Sequence, residues 1–191
     1  MINGKYIGMS LQERLKGFKP IKYTRVTRDG ASYAQTEVFV RRALRLCLWT
    51  YKRLDSANQT ARLLRDVIDF VLRRYHGYCI KEKLGAHYRE VGLKSDDKVD
   101  FEHVLPAALA RDLLIHDRIS IDEALNVPTC MISRKKHKKL NSKKLASTTP
   151  DPYNFWTRYE ILNIKIETHD STEVDMATWN LYSHYQYFKV L

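Results

Sequence analysis

The sequence predicts an α+β fold: a mainly helical region over 1–97, a strand–strand–helix unit over 98–145, and a C-terminal segment, 146–191, with strand character. Three observations predict it. Apolar residues recur at helical spacing through 40–54 and again through 61–72. Two short segments, 99–105 and 128–132, read as strands, each followed by a helix start. Thr148-Thr149-Pro150-Asp151-Pro152 is the strongest linker or turn signal in the chain and sets off the last segment.

Taken in order, Ser10-Leu11-Gln12-Glu13 reads as a capping box opening a short helix. Residues 19–27 read as a short strand, and Asp29-Gly30 as a turn. Thr36 is a candidate cap for a helix whose buried stripe is Val40, Leu44, Cys47, Leu48, Tyr51 and Leu54. Arg41, Arg42, Arg45, Lys52 and Arg53 occupy its other face, either solvated or facing a phosphate backbone. A second helix follows, with Ala61, Leu64, Val67, Ile68, Val71 and Leu72 inward and Gly77 as its stop. The polar stretch 81–98 reads as a loop. Pro106 suits the first turn of a helix over 107–114. Ser120-Ile121-Asp122-Glu123 is a capping box for a helix ending near Leu125, and Ser133 is a good N-cap for a basic helix. Residues 159–167 read as a strand, and the aromatic-rich end, Trp179 to Phe188, as core in preference to a base-stacking platform.

Composition narrows the partners. The chain has 191 residues, 44% hydrophobic and 29% charged, enough to bury a core without staples. No apolar run approaches the roughly 20 residues of a membrane span, and the first residues lack the apolar run of a secretory signal. A cytoplasmic protein with no membrane partner is expected, and a bacterial or phage-infected cell fits. Cys47, Cys79 and Cys130 are widely spaced and form no CxxC pair, which excludes a four-cysteine zinc site. The net charge of +11 and isoelectric point near 9.6 favour a polyanion, nucleic acid being the commonest. The charge is concentrated: Arg134 to Lys144 holds seven basic residues and no acid.

Two segments carry candidate chemistry. In Asp100-Phe101-Glu102-His103-Val104-Leu105-Pro106, a carboxylate offers a hard oxygen ligand for Mg²⁺ or Mn²⁺. The adjacent imidazole titrates near neutrality and can take a proton from water. Side chains alternate along a strand, so Glu102 and His103 converge only if the chain bends sharply there. In Ser133-Arg134-Lys135-Lys136-His137-Lys138-Lys139-Leu140-Asn141, His137 and Asn141 are four apart and share a helical face among lysines. Together they offer a base for water, ligands for a cation and positive charge for a backbone, which phosphodiester hydrolysis requires.

Here the sequence resembles a family. Asp100 to Pro106 is similar to the Asp-x-Asp-His-Ile-x-Pro motif that opens many HNH (His-Me finger, ββα-metal) nuclease domains, including those of RNA-guided CRISPR nucleases. Ser133 to Asn141 resembles the Thr-Pro-Lys-Arg-His-x-x-x-His helix of bacterial DNase toxins. The resemblance covers 98–145, about a quarter of the chain. It implies that His103 is the general base and that Glu102 and His137 are metal ligands. Asn141 falls where the toxins have another histidine ligand. Asn126, eleven residues before His137, is the candidate for the middle Asn that braces the loop and orients the base; it reads equally as a helix C-cap. Asp100 matches the outer acid of the motif, a supporting position or an ordinary strand-end charge.

The expectation is therefore a divalent-metal-dependent endonuclease acting on DNA in preference to RNA. The metal is Mg²⁺ or Mn²⁺, with Zn²⁺ or Ni²⁺ as alternatives. Arg134, Lys135, Lys136, Lys138, Lys139, Lys143 and Lys144 are the phosphate contacts, and a homodimer is compatible. The rival readings are a non-catalytic nucleic-acid-binding protein and an RNase using the same site. His76, His87, His116, His169 and His184 have no ligand-like partner at short spacing and read as structural or exposed.

Overall fold

The computed structural model describes residues 10, 30–55, 57–143, 145, 149 and 151–190, and the side chains of 30–34 are not among them. The fold is α+β, with helices first and strands later. Two long helices, α1 (Gly30–Tyr51) and α2 (Gln59–Tyr75), pack as a pair. A π turn, His76–Ile80, continues α2 into the short α3 (Lys81–Leu84). Then come β1 (Tyr88–Glu90), β2 (Val99–His103), α4 (Ala107–Ile115) and α5 (Ile121–Leu125). They are followed by β3 (Thr129–Ser133), α6 (Arg134–Ser142), α7 (Thr157–Glu160), β4 (Ile166–Thr168) and α8 (Leu181–Tyr187). The readings that rest on residues 11–29 lie outside the described residues.

The sheet order is β2-β3-β1-β4. The pairs β2–β3 and β1–β4 are antiparallel, and β1–β3 is parallel. The register decides what faces what. Asp100 pairs Ile132 and Glu102 pairs Cys130, while Tyr88 also pairs Cys130. Paired residues share a face of the sheet. Tyr88, Glu90, Asp100, Glu102, Cys130 and Ile132 therefore lie on one face, and Phe101 and His103 on the other. Cys130, Ile132, Leu140, Trp156 and Tyr159 form one core with the C-terminal segment. Leu44, Ile68, Leu72, Tyr75, Leu114 and Leu125 form a second, helical core. Among the described residues no helix is long and apolar enough to cross a membrane.

Several expected elements are displaced, each for a physical reason. Helix α1 begins at Gly30, so Thr36 sits inside it and caps nothing. Of the α2 stripe, Ala61, Ile68 and Leu72 are buried, but Val67 is exposed. Gly77 does not stop the helix; the stop is Gly85, whose φ of 73° is where a glycine is favoured. The loop over 81–98 contains β1, a strand of three residues held between β3 and β4. The strand read over 159–167 is corrected: Trp156 and Tyr159 anchor a helical turn in the core, and strand structure starts only at Ile166. The aromatic end is helix α8, with Tyr185 in the core.

Candidate active site

Strands β2 and β3 pair antiparallel with α4 and α5 between them in the chain, and α6 follows β3; this brings carboxylates against the first turn of the basic helix. Asp100 and Glu102 are two residues apart on β2 and share its inner face. His137 stands one turn into α6 between them. Its Nδ1 is 2.9 Å from Asp100 Oδ2 and its Nε2 is 3.3 Å from Glu102 Oε2. Leu140, fully buried, anchors the same helix in the core and fixes that face inward. Glu90 comes from β1. Its Oε2 accepts from the Ser133 backbone N–H at 2.8 Å and its Oε1 pairs with Lys136 Nζ at 2.8 Å. Ser133 occupies the N-cap position of α6, but its side chain makes no cap bond; the Glu90 carboxylate sits at the helix start on Ser133's own backbone N–H, where the dipole favours negative charge.

Charge compensation is close to hand. Arg158 is fully buried and donates from Nη2 to Glu102 Oε1 at 2.6 Å. The same nitrogen reaches the His103 carbonyl, and Nη1 donates to Leu145 O at 2.8 Å. Burial pushes the Glu102 carboxyl up, against the opposing pull of Arg158 and His137. The hydrogen bond from His137 is the first cause that holds Asp100 below the usual carboxylate range, with Arg134 adding to it.

This donor set fits one hard divalent ion with two protein ligands. Cis ligands at octahedral Mg²⁺-like distances are about 3 Å apart, and Glu102 Oε2 and His137 Nε2 are 3.3 Å apart. Asp100 on the far ring nitrogen is the carboxylate–histidine partner that fixes a metal-binding imidazole. Asp100 and Glu102 address opposite nitrogens of the ring, so they cannot share a cation with it. Among the described residues no group of three or more His, Cys, Asp and Glu is arranged to hold a metal. Mg²⁺ commonly makes do with one or two protein ligands plus waters and substrate phosphate.

His103 does not join this group. The chain stays extended through Glu102 and His103, so the sharp bend needed for convergence is absent and His103 takes the opposite face. There its Nε2 lies 3.0 Å from Nδ1 of His76, whose Nε2 lies 2.9 Å from the Ala124 carbonyl oxygen. Burial, then His76, Arg73 and Arg158, bring His103 down to about 2. Burial brings His76 down to about 4. Arg158 is the residue the sequence reading missed, and His76, read as structural or exposed, is buried against His103. The only local sign of Arg158 was a lone arginine among Phe155, Trp156 and Tyr159.

Asn126 is the C-cap of α5, its Nδ2 donating to Asp122 O at 2.9 Å. Its carbonyl accepts from His184 Nε2 at 2.6 Å, and His184 Nδ1 meets Tyr88 Oη at 2.7 Å. It closes the end of α5, the helix that carries Ala124, and makes no hydrogen bond to His103. Asn141 is exposed one turn beyond His137 and makes no hydrogen bond to Glu102 or His137, so its expected ligand role is not supported by position. Of the expected phosphate contacts, Lys136 is committed to Glu90, and Arg134 pairs with Asp100 at 3.2 Å. Lys135, Lys138, Lys139 and Lys143 are exposed, and Lys144 lies outside the described residues. On the helical pair, Arg41 meets Glu37 and Asp122, and Lys52 meets Asp117. Comparison with protein-family models, with curated proteins and with solved structures finds no match.

Proposed function

We propose that the chain is a divalent-metal-dependent endonuclease that hydrolyses phosphodiester bonds in DNA, with Glu102 and His137 as protein ligands of the ion and His103 as the base. The observation that carries the reading is the opposition of Glu102 Oε2 and His137 Nε2 at 3.3 Å, with Asp100 on the other ring nitrogen. It lies at the root of a segment with seven basic residues and no acid. A bound ion supplies Lewis acidity at the scissile phosphate and stabilises charge on the leaving oxygen. Asp100 orients His137, and Arg158 holds Glu102 in one pose while balancing its charge. Lys135, Lys138, Lys139 and Lys143 are the exposed cations for backbone phosphates.

In-line displacement puts the attacking water and the leaving oxygen on opposite sides of phosphorus, so His103 serves as base only for a phosphate seated across the free edge of β2, the outer strand of the sheet. The water oxygen bonds to phosphorus and its proton passes to His103. The P–O3′ bond breaks with its electron pair on the 3′ oxygen, which takes a proton from solvent.

The test is digestion of plasmid DNA and of a structured RNA with Mg²⁺ or Mn²⁺, with and without EDTA. DNA cleavage that EDTA stops is expected. His103→Ala is expected to lower the rate by about 10²- to 10⁴-fold with DNA binding retained. Binding with no cleavage by the wild-type protein would overturn the reading in favour of a binding protein, and cleavage of RNA alone in favour of an RNase.

A further inference from the structure

Among the described residues, seven of the twelve exposed large apolar side chains lie on α1 and α2, so the uncovered apolar surface belongs to the helical pair. On α1 that surface is interleaved with charge. Phe39, Arg42, Arg45, Trp49 and Arg53 follow one another at steps of three or four residues, so they share the side of the helix opposite the fully buried Leu44. All five are exposed, Phe39 at 66% and Trp49 at 56%. The cations on the inner flank are engaged: Arg41 meets Glu37 and Asp122, and Lys52 meets Asp117. Arg42 and Arg45 pair with no described acid, and the stripe itself contains none. The Arg53 guanidinium lies over the Trp49 ring, 3.8 Å from Cζ to the centroid, and its Nη1 donates to the Trp49 carbonyl at 2.9 Å. One face of the indole is thus backed by a tethered cation, and the other is left for a flat ligand.

We propose that this face of α1 binds single-stranded nucleic acid, with phosphates on Arg42 and Arg45 and unpaired bases stacked on Trp49 and Phe39. Aromatic rings set among cations are what an unpaired strand needs, because every base has a π-face and every linkage a negative charge. In a duplex the base faces are already stacked on one another, so this surface offers a duplex charge alone. Charge also selects among occupants. A second copy docked across a two-fold axis would bring the same arginine stripe to a face that holds no acid to receive it. Residues 1–29 carry seven Lys or Arg against two acids, so they too have the wrong sign. A polyanion with flat apolar rings satisfies both the arginines and the aromatics. The proposal concerns the helical pair, not the Glu102–His137 site, and stands without the nuclease reading. A protein that binds strands and cuts nothing would use the same face.

The test uses the whole chain in EDTA, so that binding is read without cleavage. The probes are a labelled oligonucleotide, as DNA or as RNA, its duplex, and an abasic strand of the same length. Polarisation and tryptophan fluorescence follow the binding. The single strand is expected to bind more tightly than the duplex and the abasic strand, and to quench Trp49. Trp49→Ala should weaken strand binding about 5- to 100-fold, abolish that quenching and narrow the gap to the abasic strand. Arg42→Gln combined with Arg45→Gln should weaken strand binding and flatten its salt dependence. These side chains are exposed, so the melting temperature should stay near that of the wild type. Equal affinity for the single strand and the abasic strand, or a folded Trp49→Ala that binds as the wild type does, overturns the proposal. So does a dimer in sedimentation that Trp49→Ala breaks, which gives the face to a second copy. Equally tight binding of poly-glutamate overturns it in favour of an acidic protein. Failure to cleave with Mg²⁺ or Mn²⁺ overturns the nuclease reading alone.

Discussion

Asp100, Glu102 and His137 form a line in which one imidazole joins two carboxylates, and the two carboxylates do different work. Glu102 is buried beside a fully buried arginine, so its charge is tolerable only while Arg158 is present. Arg158→Met should leave an unpaired buried carboxylate and destabilise the fold by about 3–5 kcal/mol, read by urea denaturation. Adding Glu102→Gln should recover part of that loss, because no buried charge is then left; full additivity of the two changes would contradict the pairing. Asp100 is more exposed and acts through His137. Asp100→Ala should weaken Mn²⁺ binding about 10- to 100-fold by calorimetry while leaving the melting temperature nearly unchanged. Glu102 and His137, which the structure brings together, were singled out in the sequence because each is visible in one segment, whereas the expected convergence of His103 with them does not occur. Arg158 was not singled out, because it reaches Glu102 from 56 residues away and only the fold brings it there.

At the scale of elements, the legible features were the local ones. The Ser120 capping box forms as expected, with Glu123 N donating to Ser120 Oγ at 3.1 Å and Ser120 N to Glu123 Oε2 at 2.6 Å. Ser120→Ala should cost about 1 kcal/mol in a thermal melt. Features that depend on distant partners were not legible. Strand β1 has three residues and no alternation of its own; it exists because β3 and β4 supply its hydrogen bonds. The Ser133 cap was read correctly in position and wrongly in mechanism, since its side chain makes no cap bond and Glu90 on β1 accepts from Ser133's own backbone N–H. Alternation along β2 was the decisive local rule: with no bend at Glu102, it sends Glu102 to the C-terminal core and His103 to the helical side.

Across the whole molecule, buried neutral histidines, His76 and His184 among them, tie stability to pH. Burial lowers His76 to about 4 and His184 to about 3 from an ordinary value near 6.5. Below 6.5 the unfolded chain takes up protons that the folded chain refuses, so stability is full above that pH and falls as pH drops towards 4. The full loss from His76, reached below pH 4, is roughly 3 kcal/mol, of which about 2 kcal/mol falls between pH 7 and pH 5, where chemical denaturation reads it. Binding to DNA should weaken steeply with salt, and removing one of Lys135, Lys138 or Lys139 should lower the log–log slope by about one. The most direct measurement of the central claim is the rate of plasmid cleavage as a function of Mn²⁺ concentration in the wild-type protein, Glu102→Gln and His137→Ala. If these two side chains hold the ion, both variants require about 10- to 100-fold more Mn²⁺ for half-maximal rate. Half-saturation at the same Mn²⁺ concentration in all three proteins would contradict it.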